Sequence, residues 1–380
     1  MRARHLAWLL ALILCPLAAH AHKQSDSYLT VTGTGSSTLQ GQWDIALRDL
    51  DFAIGLDGDA DDRITWGEIR GRREAIAKYA FEHLRLAAVS PTSRAACPTT
   101  LQQLMLDEHV DGAYAVLRFT AACPAMPQRL EIDYSLLFSF DPNHRGLLNV
   151  EAGAVSQAAV LSADSDSASF ELHRANRWSQ FRSFVVEGIW HIWAGYDHVL
   201  FLFTLLLPAV VVRVQGRWAA RSSLRSSVVD VLQVVTAFTV AHSLTLTLAA
   251  LGLVHVPSRA VESAIAFTVL LGALNLLFPV VRERRWAVAL LFGLVHGLGF
   301  ASVLADLGLP GSGLLTALIG FNTGVEIGQL AIVALLVPLI YLVRETALYR
   351  RVVLPAGAAA IGALAVYWMA ARLFPAAIPA

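Results

Sequence analysis

Six long apolar runs fill the C-terminal half of this sequence, and they constrain its fold more than any other feature. Each is about as long as the roughly 20 apolar residues that a helix needs to cross a bilayer. Of 29 basic and 29 acidic side chains, only 20 lie from Ser183 to the C-terminus. The sequence therefore predicts an α-helical membrane bundle of six transmembrane helices over residues 184–374. The runs cover residues 184–212, 228–253, 259–281, 286–305, 312–343 and 352–374.

Arginines are distributed unevenly between these runs. Ten follow runs one, three and five, whereas the opposite short loops carry only Arg259. Because cytoplasmic loops carry an excess of Lys and Arg, both termini are predicted to lie outside the cytoplasm of a bacterial inner membrane. The net charge of zero gives no indication of a nucleic-acid partner. The ten are Arg213, Arg217, Arg221, Arg225, Arg282, Arg284, Arg285, Arg344, Arg350 and Arg351.

Residues 1–21 are typical of a secretory signal peptide, with basic residues, an apolar run from Leu6 to Leu17 and an A-x-A site. Cleavage would make His22 the N-terminal residue, whose amine and imidazole can chelate copper or nickel; an incidental surface histidine is the alternative. The mature chain keeps Cys97 and Cys123. In an exported domain these two predict a disulfide, with two buried free thiols as the alternative.

Residues 22–178 show mostly period-2 alternation, which predicts a β-rich extracytoplasmic domain. The clearest alternating stretches are Ser27–Thr32, Leu39–Leu47, Tyr114–Thr120 and Arg129–Phe138. Between them, the spacing of apolar residues predicts one helix over Ile69–Ala88.

An acidic loop over residues 57–68 fits the EF-hand pattern. Asp62 stands where glycine is usual at position six. The loop predicts a Ca²⁺ site that stabilises structure; an acidic turn that caps the following helix is the alternative. The predicted ligands are Asp57, Asp59, Asp61, the carbonyl of Arg63, Thr65 and, through two carboxylate oxygens, Glu68.

Ten polar residues lie within five of the six apolar runs, where a charged side chain costs roughly 2.5–3.5 kcal/mol. So many predict a polar site within the bundle rather than isolated packing contacts; polar groups that only hydrogen-bond one another are the alternative. On one continuous helix, His191 and His198 would share a face and lie roughly 10 Å apart in depth. The ten are Glu187, His191, Asp197, His198, His242, Glu262, His296, Asn322, Glu326 and Gln329.

These side chains offer nitrogen and oxygen donors. The runs contain no cysteine and only one methionine, Met369, so a Cu(I) site is disfavoured. Imidazole and carboxylate suit Ni(II), Co(II) or Zn(II). The predicted metal ligands are His191, Asp197, His198, His242, Glu262, His296, Asn322 and Glu326.

The H-x-x-x-G-x-D-H element at residues 191–198 resembles a signature of the HupE/UreJ family of hydrogenase/urease accessory membrane proteins, in a long form with an exported N-terminal domain. Ala241-His242-Ser243, His296-Gly297 and the 321–329 segment are similar to that family too. Ile192 stands where short members have proline, and a second histidine-rich motif is reduced to His296. The resemblance implies permeation of nickel or a related divalent metal, with His191, Asp197 and His198 matching the family's motif.

Two functions therefore compete. The first is a permease that passes nickel, or else cobalt or zinc, across the bilayer, with the lipid bilayer and the metal ion as its partners. The second is an intramembrane metal-dependent hydrolase, since Zn(II) held by histidines can activate water. Ligands staggered over roughly 15 Å of depth would favour a path for an ion over a closed catalytic site. A sensor or assembly factor is disfavoured by the number of polar groups in the runs.

Overall fold

A computed structural model describes residues 25–373, apart from 34, 62, 91–92, 110–111, 154, 175, 216, 282, 301–303, 305–308 and 310. The predicted signal peptide and His22 lie outside the described residues. The chain divides into two compact units. One is drawn from Lys23–Phe184 and Val303–Gly320, and the other from Val185–Ser302 and Phe321–Ala380.

The N-terminal unit is β-rich, as its period-2 pattern predicts. Its first sheet has six strands in the order β5-β6-β2-β1-β8-β9, and only the β1–β8 pair is parallel. Its second sheet is antiparallel, in the order β10-β7-β3-β4. The strands are β1 (Asp26–Gly33), β2 (Thr38–Ala46), β3 (Leu84–Ser90), β4 (Ser93–Ala96), β5 (Thr99–His109), β6 (Gly112–Ala122), β7 (Arg129–Tyr134), β8 (Arg145–Ala152), β9 (Val155–Leu161) and β10 (Ser167–Glu171).

Buried side chains of the two sheets and of three short helices form one hydrophobic core. Trp43 comes from the first sheet, Ile132 from the second and Ile76 from a helix. A disulfide joins Cys97, which follows β4, to Cys123, which follows β6. Both cysteines are buried in this core.

The prediction of one helix over Ile69–Ala88 is wrong. Between β2 and β3 the structure has three helices, which are α1 (Leu47–Ile54), α2 (Trp66–Gly71) and α3 (Arg73–Glu82), and the chain then enters β3. After His83 the buried residues recur at every second position: Leu84 and Leu86 are buried, while Arg85 between them is exposed. That alternation belongs to a strand, and it ends the helix.

The C-terminal unit is helical. Its helices are α4 (Arg177–Ala194), α5 (Tyr196–Leu206), α6 (Leu224–Ala250), α7 (Ser258–Leu277), α8 (Arg285–His296), α9 (Gly311–Val343) and α10 (Leu354–Leu373). The first residues of α4 and of α9 belong to the N-terminal unit. A 3₁₀ turn (Leu207–Val210) and a small hairpin, β11 (Val211–Val214) with β12 (Arg217–Ala220), follow α5. A π-helical turn (Tyr349–Val353) precedes α10.

Four helices of the described chain are long and apolar enough to cross a membrane, namely α6, α7, α9 and the helix that ends with α10. The predicted first run, 184–212, is interrupted: α4 and α5 are bent by 69°, and as one broken span they would make a fifth. Helix α8 has only 12 residues, and part of its predicted continuation to residue 305 lies outside the described residues. Six spans therefore remain a prediction.

The outer faces of these helices are apolar. Val240 on α6 is 60 % exposed, Leu291 on α8 is 59 % exposed and Leu335 on α9 is 65 % exposed. Meanwhile His198, His242 and His296 are buried inside the unit. Apolar residues outside and polar residues inside are what a helical bundle in lipid requires, because only its interior can satisfy polar groups.

Candidate metal centre

Four histidines from distant parts of the sequence meet inside the helical unit. The ring centroids of His191 and His198 are 4.7 Å apart, and those of His198 and His296 are 5.1 Å apart. His242 lies 6.3 Å from both His191 and His198. The four rings therefore form one cluster, the histidine cluster, where the end of α4, the start of α5, the middle of α6 and the end of α8 come together.

The break between α4 and α5 at Gly195 brings His191 onto His198. A Cβ on Gly195 would lie 2.6 Å from the carbonyl oxygen of His191 and 2.9 Å from Nδ1 of His198. Only glycine fits so close to both groups. The continuous helix assumed for residues 184–212 is thus wrong, and the two rings touch instead of lying about 10 Å apart in depth.

Glycines also let the other helices approach closely. A Cβ on Gly293 of α8 would overlap the Phe238 carbonyl of α6, and one on Gly188 of α4 would overlap the Phe321 carbonyl of α9. Small residues at such contacts allow helix backbones to touch. The close contact of α6 with α8 places His242 and His296 beside the same space.

Phenylalanines enclose the histidine cluster. The Phe300 and Phe321 rings lie 4.9 Å and 5.2 Å from the His191 ring. The Phe201 and Phe238 rings both lie 5.3 Å from the His296 ring. His198, His242 and His296 are buried among these rings, where a polar atom without a hydrogen-bond partner is costly.

Several buried ring nitrogens of the cluster have no hydrogen-bond partner among the described residues. They include Nε2 of His191, Nε2 of His198 and Nδ1 of His296. Leaving such a group unpaired costs about 1–3 kcal/mol each. A cation bound by these nitrogens would remove that cost.

Asp197 fixes the ring of His198. Its Oδ1 atom accepts hydrogen bonds from the backbone N–H of His198 at 2.9 Å and from Nδ1 at 3.0 Å. Since Nδ1 carries the proton in that bond, Nε2 keeps its lone pair. A carboxylate behind a ligating imidazole is the usual arrangement at protein metal sites.

Two groups of potential ligand atoms result, each with its atoms within 4.8 Å of one another. The first group contains His191, His198 and His242, and the second contains Asp197, His198 and His296. His198 belongs to both. These nitrogen and carboxylate donors suit Ni(II), Co(II) or Zn(II).

Neither group contains the other two predicted carboxylate ligands, Glu262 and Glu326. Both carboxylate oxygens of Glu262 are engaged elsewhere, one by Ser258 at 2.7 Å and the other by Arg372 at 3.1 Å. Glu326 is half-buried on α9 and is absent from both groups. Asn322 lies beside the His242 ring.

Sequence reasoning missed Thr268 of α7. Its hydroxyl oxygen lies 2.9 Å from Nε2 of His296. No signal in the sequence identifies it, because threonines in membrane helices commonly bond to their own helix backbone. The enclosing phenylalanines were missed for a similar reason, since an apolar run gives no sign of which ring faces a site.

In the acidic loop at residues 57–68, the three aspartates lie close together, whereas Glu68 is hydrogen-bonded to the backbone. Carboxylate oxygens of Asp57, Asp59 and Asp61 lie within 4.8 Å of one another. The negative charge of Asp61 raises the pKa of Asp59. Glu68, however, caps α2: its oxygens accept hydrogen bonds from the backbone N–H groups of Gly58 (2.7 Å) and Thr65 (2.8 Å), which lower its pKa. Asp62 lies outside the described residues.

The model of the HupE/UreJ protein family matches residues 167–372 of this sequence. This match covers more than half of the chain. The chain belongs to the HupE/UreJ family. Comparison with curated proteins finds no match.

The matched HupE/UreJ region contains all four residues of the histidine cluster, from His191 to His296. It also contains helices α4 to α10, apart from the last residue of α10. Membership in this family indicates an accessory membrane protein of nickel or cobalt metabolism. The β-rich region up to residue 166 lies outside the match.

Proposed function

We propose that this HupE/UreJ protein is an inner-membrane permease that carries nickel, or else cobalt or zinc, across the bilayer, as a hydrogenase/urease accessory protein. The observation that carries the proposal is the histidine cluster with its unpaired, buried nitrogens. His198 is the residue common to both groups of ligand atoms, so an ion bound in either group would lie beside it.

The chemistry of the cluster supports a divalent ion of intermediate softness. The enclosed site offers imidazole nitrogens and one carboxylate, and no thiolate or thioether lies within the predicted spans except Met369. Such donors disfavour Cu(I) as well as Ca²⁺ and Mg²⁺, which prefer oxygen. Family membership then favours nickel and cobalt over zinc.

The depth over which the predicted metal ligands are spread does not separate a permease from an intramembrane hydrolase in this structure. On continuous helices, His191, His198, Glu262 and Glu326 would be spread over roughly 15 Å of depth, as an ion path requires. The histidines are compact, and Glu262 pairs with Arg372. What favours transport is the family to which the chain belongs.

Orientation follows from the arginine distribution. We place the arginine-rich loops in the cytoplasm, and the N-terminal unit and the C-terminus outside. The signal peptide over residues 1–21 and a Ca²⁺ ion held by the loop at residues 57–68 are part of the same proposal. The domain order is then signal peptide, extracytoplasmic domain over residues 22–178 and membrane domain over residues 184–374.

Metal uptake into proteoliposomes tests the function. Full-length protein should take up Ni(II) or Co(II) in preference to Mn(II), Cu(I) and Zn(II). The His198→Ala variant should lose most of this uptake, because His198 belongs to both ligand groups. His255→Ala is the matched control, since His255 is exposed between α6 and α7 and should not matter. Normal uptake by His198→Ala, or no uptake of any metal by the unmutated protein, would refute the permease.

A further inference from the structure

Thr268 contacts two groups through one hydroxyl. Its Oγ1 atom lies 2.7 Å from the backbone carbonyl oxygen of Ile265 and 2.9 Å from Nε2 of His296. The residue is buried on α7. Because a carbonyl oxygen can only accept, the single hydroxyl proton is donated to Ile265. With this assignment the hydroxyl oxygen accepts a hydrogen bond from Nε2–H of His296.

That assignment fixes the tautomer of His296. A neutral imidazole carries one N–H, so a proton on Nε2 leaves the lone pair on Nδ1. Nδ1 of His296 is buried and has no hydrogen-bond partner among the described residues. His296 is also the member of the cluster that joins Asp197 and His198 in one ligand group.

His198 is held in the opposite tautomer. Its Nδ1–H donates to Asp197, and its Nε2 is the unpaired nitrogen. The two neighbouring rings therefore offer different nitrogens, Nε2 from His198 and Nδ1 from His296. Each is fixed by an oxygen on the far side of the ring, a carboxylate in one case and a hydroxyl in the other.

We propose that Thr268 is a positioning residue of the histidine cluster: it holds His296 as the Nε2–H tautomer, so that Nδ1 is the atom offered to a divalent metal ion. This inference rests on the proposed function, since it assumes that the cluster receives a metal. A purely structural threonine would need only its bond to Ile265, which is already complete. Its additional contact with His296 determines which ring nitrogen can bind a metal.

Co(II) titration of the full-length protein in detergent, followed by the visible absorption of the bound ion, tests the effect on binding. Thr268→Val keeps the shape of the side chain but removes the hydroxyl, and it should weaken Co(II) binding by about tenfold or more, as loss of a group behind a ligand usually does. Thr268→Ser keeps the hydroxyl and should restore binding. Thr247→Val is the matched control, because the Thr247 hydroxyl donates a hydrogen bond to the Ser243 carbonyl on its own helix, at 2.7 Å.

The tautomer is measured directly on the metal-free protein. Nitrogen NMR of histidine-labelled protein, with the His296 signals assigned by their loss in His296→Gln, should show the Nε2–H form in the unmutated protein and a mixture in Thr268→Val. If Thr268 had only a structural role, the ratio of the two His296 tautomers would be the same in Thr268→Val as in the unmutated protein.

The outcomes separate the two proposals. Unmutated protein that binds no Co(II), Ni(II) or Zn(II) refutes the proposed function. Protein that binds metal, with unchanged affinity or unchanged tautomer in Thr268→Val, refutes only the role of Thr268. Should the valine variant fail to fold, an Nδ1–H signal from His296 of the unmutated protein overturns the inference by itself.

Discussion

The imidazole rings of His191 and His198 lie 4.7 Å apart because the chain between them bends at Gly195. Seven residues along a continuous helix would separate the two side chains by about 10 Å in depth. The bend instead places the last turn of α4 against the first turn of α5. Two ligands that are close in sequence thereby become neighbours in one site.

Substitution of Gly195 should therefore damage metal binding. In Gly195→Ala the new Cβ would lie 2.6 Å from the His191 carbonyl, so the bend must open and the two rings must separate. We expect Ni(II) affinity, measured by equilibrium dialysis of the full-length protein, to fall by about tenfold or more. Gly362→Ala is the control, because a Cβ there meets Ala273 at an ordinary 3.6 Å. Unchanged affinity in Gly195→Ala would contradict this role of the bend.

Glu262 should not be a ligand, although the sequence suggested it. Its carboxylate is bound by Ser258 and Arg372, outside the histidine cluster. Glu262→Gln should change Ni(II) affinity by no more than about threefold, whereas the same acid-to-amide change in Asp197→Asn should lower it by tenfold or more, because Asp197 orients His198. A larger loss in Glu262→Gln than in Asp197→Asn would restore Glu262 to the site.

The two roles of Glu68 can be separated by a conservative change. Gln at the third helical position also completes a capping box, so Glu68→Gln should leave the melting temperature in chelator nearly unchanged. The variant should lose the increase in melting temperature that Ca²⁺ produces, because Ca²⁺ binding needs the negative charge and both oxygens of the Glu68 carboxylate. Thermal unfolding of the N-terminal unit in the full-length protein, with and without Ca²⁺, measures both. Equal melting temperatures of the unmutated protein in Ca²⁺ and in chelator would exclude the calcium site.

His144 should make the N-terminal unit sensitive to acid. Its ring is buried between two hydroxyl groups. The Ser25 Oγ atom lies 2.6 Å from Nδ1, and the Tyr134 hydroxyl oxygen lies 2.5 Å from Nε2. Burial first, and then the positive charges of Arg145 and Arg48, lower the pKa of His144 from 6.5 to about 3. Between these values the unfolded chain binds a proton that the folded unit does not. Stability is therefore greatest above pH 6.5 and falls toward pH 3, by up to about 1.4 kcal/mol per pH unit.

Pulse proteolysis of the full-length protein from pH 7 to pH 5, following cleavage of the N-terminal unit, measures this loss. His144→Leu should flatten the pH dependence, although it lowers stability at pH 7 by removing both hydrogen bonds. His173→Gln is the matched control, because His173 is exposed and should leave the slope as it is. An identical slope in His144→Leu would assign the acid sensitivity to other groups.

The sequence predicted much of the architecture of the N-terminal unit. Strands β1, β2 and β6 fall where the alternation of apolar and polar residues predicts them. Strands β8 and β9 gave no such signal: six consecutive residues of β8 are buried, so periodicity disappears. The helix predicted over Ile69–Ala88 failed because a local window cannot show that Leu86 pairs with Ile132 in a sheet.

The amino-acid sequence alone determined the division of the chain into a charged, β-rich part and an apolar, helical part. It also determined the pool of metal-binding side chains, since charge density and motif spacing are local properties. Only the tertiary structure decided which members of that pool meet. Glu262 pairs with Arg372, 110 residues away, while His191, His198, His242 and His296 share one space that Thr268 helps to shape. Such choices depend on contacts between segments far apart in sequence, where glycines such as Gly293 let the backbones touch, and no local pattern records them.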